Sequence, residues 1–137
     1  MKVTDIVWNY MFISLNELFW ESQLRHIPVF LKDLEKDRLG DFQCTPNGVN
    51  SILLGRNQNM TVRELTGVLL HEMCHQSAFQ NHGIDIIPHG KEWQDAMRNV
   101  GFSGLINEYT NGLCRFSEEE LCRIIARHDE LIEQFGI

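Results

Sequence analysis

One pentapeptide constrains this chain more than any other feature: His71-Glu72-Met73-Cys74-His75, embedded in a segment with helical signals of its own. That segment opens at Thr61-Val62-Arg63-Glu64. This is the spacing of a capping box, in which the threonine hydroxyl accepts from a first-turn amide and the glutamate reaches back. Leu65, Val68 and Leu69 follow at helical spacing, so a helix is expected from Thr61 to about Phe79. Two histidines four apart on a helix stand one above the other and converge in front of that face. Zinc, at about 2.0–2.1 Å from each ring nitrogen, fits there, and Glu72, one step round, can reach a water without ligating the metal. The metal would bring the water's pKa towards about 7 and polarise a carbonyl, and the carboxylate would carry the proton to a leaving amine. With 6 histidines in the chain, shuffled sequences would hold the pentapeptide pattern in roughly 2 of 100 cases, so its position inside a capped helix adds real weight.

A hydrolytic site of this kind needs a third ligand and one open coordination position. Downstream candidates are His82, His89, Glu92 and Glu108. The metzincin pattern is excluded, because Ala78 and Asn81 stand where it needs glycine and histidine. His82 is so near the helix end that the chain would have to reverse sharply, and Glu108 lies far on in a segment of poor helical period. His89 begins the next periodic segment, and a loop of ordinary length could return it to the metal. Spacing therefore favours His89 and leaves Glu92, Glu108 and His82 as alternatives.

The rest of the chain reads as α+β. Ile6, Val7, Tyr10, Met11, Leu15, Leu18 and Phe19 recur at helical spacing over residues 5–21, with Asn and Glu between them, as in an amphipathic helix. Three short extended candidates follow at 27–31, 38–44 and 49–55. The charged stretch 32–37 separates the first two, and Thr45-Pro46-Asn47-Gly48 separates the last two, with an Asn-Gly pair that favours a hairpin. A small, mainly antiparallel sheet of three strands is expected, with Pro28 suited to an edge position. A shorter helix is expected over 90–100, with Trp93, Ala96, Met97 and Val100 on one face and Gly101 as its terminator. Residues 102–115 read as loop. Ser117 and Glu120 form a second capping box before an amphipathic C-terminal helix over about 117–135, striped by Leu121, Ile124, Ile125, His128, Leu131, Ile132 and Phe135. At this length a single domain over 1–137 is expected.

Charge and cysteine usage narrow the partners. Lys and Arg number 12 against 19 Asp and Glu, a net −7, with the basic residues dispersed. A broad DNA-binding surface is not supported by that balance, although a local patch stays open. No run approaches the roughly 20 apolar residues of a membrane span, and Met1-Lys2-Val3-Thr4-Asp5 has no signal-peptide pattern, so a cytoplasmic protein away from membranes is expected. Cys44, Cys74, Cys114 and Cys122 form no CxxC pair and read as free, mostly buried thiols.

Leu69-Leu70-His71-Glu72-Met73-Cys74-His75, a loop, and then His89-Gly90-Lys91-Glu92-Trp93 resembles the SprT-like zinc metalloproteases, a family that includes a protease of DNA–protein crosslinks. The resemblance spans about residues 5–102 and takes in an upstream helix carrying Phe12, Leu15, Asn16, Phe19 and Trp20. It implies a zincin-like minimal core: an N-terminal helix, a three-stranded sheet, the active-site helix and a helix bearing the third ligand. It further implies His71, His75 and His89 as zinc ligands, Glu72 as general base, and endopeptidase action on protein substrates, DNA-bound proteins among them. The chain departs from the family in two respects: a C-terminal zinc ribbon has no counterpart in these residues, and Gln76 stands where a small residue is frequent. These point to a minimal protease core. A non-catalytic adaptor or inhibitor with the same fold is the alternative, against which the intact Glu72 argues, and a metal amidase acting on a non-protein acyl bond would use the same chemistry.

Other residues read more plainly. His26 and His128 suit surface or hydrogen-bonded core roles, Trp93 suits a core anchor for the third-ligand helix, and Cys74 suits a small buried hydrophobe. Tyr10 and Tyr109 are candidate oxyanion donors, and Arg123 and Arg127 suit a solvated helix face.

Overall fold

The computed structural model describes residues 2–44, 50–100 and 118–135. Four helices and three strands appear among them: α1 Val3–Trp20, β1 Val29–Lys32, β2 Gly40–Gln43, β3 Ser51–Gly55, α2 Val62–His82, α3 Lys91–Asn99 and α4 Glu118–Phe135. The α+β class is as the sequence implies. The expected hairpin turn at 45–48, the Gly101 terminator, the loop 102–115 with Glu108 and Tyr109, Cys114 and the Ser117 cap lie outside the described residues.

The sheet corrects the antiparallel expectation. Its order is β1-β3-β2: β1 runs parallel to β3, with Val29 opposite Ile52, and β2 runs antiparallel to it, with Gly40 opposite Leu54. The reason is burial. β3 carries Ile52, Leu53 and Leu54 with almost no exposure, whereas β1 and β2 each run from a buried first residue to an exposed last one. The most apolar strand takes the centre, as in sheets covered on both faces, and the two half-polar strands become edges. Pro28 sits at the head of the β1 edge, where only its carbonyl is needed, and accepts from the Ile52 amide at 2.9 Å.

The outer rim of β1 gives buried tasks to two polar residues of α1, Asn9 and Asp5. Asn9 is buried, donates through Nδ2 to the Val29 carbonyl at 2.8 Å and accepts from the Val29 amide through Oδ1 at 3.0 Å. Asp5, also buried, accepts from the Leu31 amide at 2.8 Å. These side chains do for the edge what a further strand would have done, and buried backbone groups demand such partners. Asn16 similarly clasps both backbone groups of Leu24. Conversely, Tyr10, Ile13 and Leu18 of α1 face outward, so the helix is less amphipathic than its sequence suggests.

α2 runs through the centre of the molecule. Both halves of its capping box form: Thr61 Oγ1 accepts from the Glu64 amide at 3.1 Å, and Glu64 Oε1 accepts from the Thr61 amide at 3.4 Å. From Thr66 to Ala78 only His75 is not buried. The helix continues to His82, so the residues expected to start a loop at 81 still belong to it, and it ends at Gly83 with φ 86°. It packs against β2, β3, α3 and α4. Val7, Met11 and Phe12 of α1, Leu69 and Met73 of α2, and Trp93 of α3 join Ile124 and Leu131 of α4 in one hydrophobic cluster.

Candidate metal centre

The i, i+4 geometry of α2 places His71 and His75 with ring centroids 5.1 Å apart. His89 comes to them from the loop ahead of α3, with centroids 5.4 Å from His71 and 4.7 Å from His75. A nitrogen from each of the three rings lies within 4.8 Å of one from each of the others. His75 Nε2 and His89 Nε2 are 3.1 Å apart. Two nitrogens that ligate one tetrahedral zinc stand roughly 3.3 Å apart, given bonds of about 2.0–2.1 Å, so the spacing suits one shared metal ion. Burial adds to the fit. It pushes the His75 ring down to about 4, helped by neighbouring His89, and pushes His89 down as well, which keeps both rings in the neutral form that ligates.

His89 owes its position to a tight turn. The Gly90 amide donates to the Ile87 carbonyl at 2.9 Å across Pro88 and His89, and His89 has φ 61°. Proline second and a left-handed residue third is the type II arrangement. Gly90 is required as well: a Cβ there would stand 2.8 Å from the Ile87 carbonyl oxygen. The Gln94 side chain donates to the His89 carbonyl at 3.0 Å and ties the turn to α3.

Trp93, 1% exposed, contacts all three imidazoles. Its ring lies 4.9 Å from His71, 5.4 Å from His75 in a stacked arrangement, and 4.6 Å from His89 in an edge arrangement. Its indole N–H donates to the His71 carbonyl at 3.4 Å. The anchor read from sequence thus also forms the floor on which the histidine cluster rests.

Glu72 is 2% exposed. Burial pushes its carboxyl up to about 8, with Asp41 on β2 adding to the rise and Arg38 opposing it. Arg38 and Asp41 form an ion pair at 2.9 Å. Glu72, His75 and His89 open onto one cleft of about 630 Å³, walled by β2 and the turn before it on one side and by the loop after α2 on the other. At Gly40 the edge strand β2 presses on α2: a Cβ there would meet Val68 Cγ1 at 2.5 Å and Glu72 Cγ at 3.3 Å. Neither Gly40 nor the Arg38–Asp41 pair announced itself in the sequence, since both reach Glu72 only through the fold.

The other sequence candidates fall elsewhere. His82 is exposed at the end of α2 and Glu92 sits in the first turn of α3, both outside the histidine cluster. Tyr10 stacks on Phe135 at 5.5 Å and does not line the cleft. His26 packs on Phe12, and His128 on Trp8. Among the described cysteines Cys74 is buried, Cys122 is exposed and Cys44 is intermediate at the cleft margin. No helix among the described residues is long and apolar enough to cross a membrane.

Compared with known proteins, residues 8–124 match the sequence model of the SprT-like family. No curated protein matches the chain.

Proposed function

The chain belongs to the SprT-like family, and from that membership we propose that it is a zinc-dependent endopeptidase acting on protein substrates. The observation that carries this reading is the convergence of three imidazole nitrogens within 4.8 Å, beside a buried carboxylate that lines one cleft with His75 and His89. In this reading His71, His75 and His89 hold the metal. Three neutral imidazoles with no carboxylate among them suit zinc, and three protein ligands leave a coordination position open. Zinc in that place supplies Lewis acidity, polarising the scissile carbonyl and making water a stronger acid.

Glu72 is the general base. It takes the proton from the attacking water as the water oxygen bonds to the carbonyl carbon, and it returns that proton to the amine as the C–N bond breaks. Burial raises its affinity for a proton and a cation at the histidines lowers it, so the two influences oppose each other in a group that must accept and release. Trp93 keeps the three rings in place throughout. The net charge of −7 lends no support to a broad DNA surface, so DNA-bound proteins are one class of substrate to test beside free, unfolded ones.

The test compares zinc-loaded wild type with Glu72→Gln on an unfolded protein and on a DNA-binding protein, with and without single-stranded DNA. Cleavage by wild type and its loss in the variant, with zinc still bound, is the expected result. Equal cleavage by both would remove Glu72 from the mechanism. Zinc binding without cleavage under any condition would favour the adaptor reading.

A further inference from the structure

We propose that the cleft carries a specificity subsite for a large apolar side chain, formed by the loop that delivers His89, and that the preferred substrate bears an aromatic or long aliphatic residue beside the scissile bond. This rests on the hydrolase reading above and names its substrate class.

The loop between α2 and α3 lines the cleft with Ile84, Ile86, Ile87 and Pro88. Ile84 is 51% exposed and Ile87 73% exposed. A single exposed isoleucine is ordinary, but two on one short loop, both walling the same cavity as Glu72, His75 and His89, form an apolar surface that gains from being covered. Phe42 of β2 and Phe79 of α2 line the same cleft with ring centroids 5.9 Å apart. The cavity also borders the carboxylate of the proposed general base, whose Glu72 Oε2 is buried and has no hydrogen-bond partner among the described residues. A cleft with an unsatisfied acceptor and an apolar wall suits an occupant that is polar along its backbone and apolar in one side chain.

Chain connectivity keeps this apolar wall close to the histidines. Ile86, Ile87 and Pro88 directly precede His89. A residue of an extended peptide spans about 3.3 Å, so a peptide with its carbonyl at the histidines places its neighbouring side chain against this wall. The opposite side holds Glu35, Lys36, Asp37 and the Arg38–Asp41 pair. That side offers charges of both signs, with Leu39 and Phe42 partly buried among them, so the strongly exposed apolar surface, Ile84 and Ile87, lies on the loop flank of the bond.

The experiment digests a mixed peptide library with the zinc-loaded full chain and reads the cleaved bonds by mass spectrometry. Matched peptides differing only in Phe or Ala at the selected position then give kcat/KM for wild type and for Ile84→Asp/Ile87→Asp, a pair whose exposure makes misfolding easy to avoid and circular dichroism makes it easy to detect. We expect wild type to prefer Phe by roughly 10-fold or more, as apolar pockets do, and the double variant to bring the ratio near one, chiefly through KM. No preference at either flanking position, or the same ratio in the double variant, overturns the subsite. Should wild type cleave nothing, binding of fluorescein-labelled Phe and Ala peptides decides. Tighter binding of the Phe peptide that disappears in the double variant upholds the subsite while the hydrolase reading falls. Equal binding of the two peptides overturns the subsite as well.

Discussion

His89 reaches its partners from a backbone conformation, φ 61°, that residues with a side chain rarely adopt. Such strain costs on the order of 1–3 kcal/mol and persists where surrounding structure imposes it. His89→Gly removes the strain but adds chain entropy of about 0.5–1 kcal/mol to the unfolded state. The metal-free variant is therefore expected to match wild type or exceed it by up to about 2.5 kcal/mol in denaturant titrations with chelator present. Its zinc affinity should nonetheless fall by more than the roughly 10–100-fold typical of losing an outer-shell partner, as read by competition with a chromogenic chelator. Glu72 gives a second residue-scale expectation. In the metal-free protein its carboxyl is raised from an ordinary 4.5 to about 8, so the folded state holds a proton that the unfolded state has released. That contribution is fully present below pH 4.5 and is lost as pH rises through about 8. The sign reverses for His75, lowered from 6.5 to about 4: its contribution is present above 6.5 and lost as pH falls through 4. Chelated wild type should lose stability between pH 6.5, above which the His75 contribution is complete, and about 8, and Glu72→Gln should flatten that decline. An unchanged slope in the variant would show that other groups cause it.

At the scale of elements, α2 and β2 depend on each other at Gly40. A Cβ 2.5 Å from Val68 Cγ1 and 3.3 Å from Glu72 Cγ forces the valine side chain, the strand or the helix to shift. Gly40→Ala should therefore cost about 1–3 kcal/mol, as overpacked sites do, and should lower kcat because the displaced helix carries Glu72. The capping box is simpler: Thr61→Ala removes the acceptor for the Glu64 amide and should cost about 1 kcal/mol, with activity per folded molecule retained. Helix starts of this kind were legible because capping is a relation between residues three apart. The order β1-β3-β2 was not. It depends on which strand is buried on both faces, and that depends on what α1 and α2 cover. Asn9 shows the same limit from the other side. Its spacing on α1 is that of a solvated residue, and only the unpaired rim of β1 gives its amide a buried task.

For the whole molecule, a ligand that binds only the folded chain stabilises it by mass action, about 2.7 kcal/mol at 100-fold excess over Kd. Zinc should thus raise the thermal midpoint of wild type. His75→Ala should abolish most of that rise, and a midpoint insensitive to zinc in wild type would count against the histidine cluster as a metal site. What the amino-acid sequence determined by itself was local: the helix carrying His71, Glu72 and His75, its cap, and the apolar faces of α3 and α4, because helical periodicity converts spacing into direction without reference to the rest of the chain. It also narrowed the candidates for a third ligand to a few residues. Only the tertiary structure decided that His89 meets His75 at 3.1 Å, that Trp93 lies against all three rings, that Glu72 is buried under the edge strand, and that one wall of the cleft is apolar. Each of these joins elements whose approach is set by the burial of the common core, and no window of sequence contains both partners and the surface that brings them together.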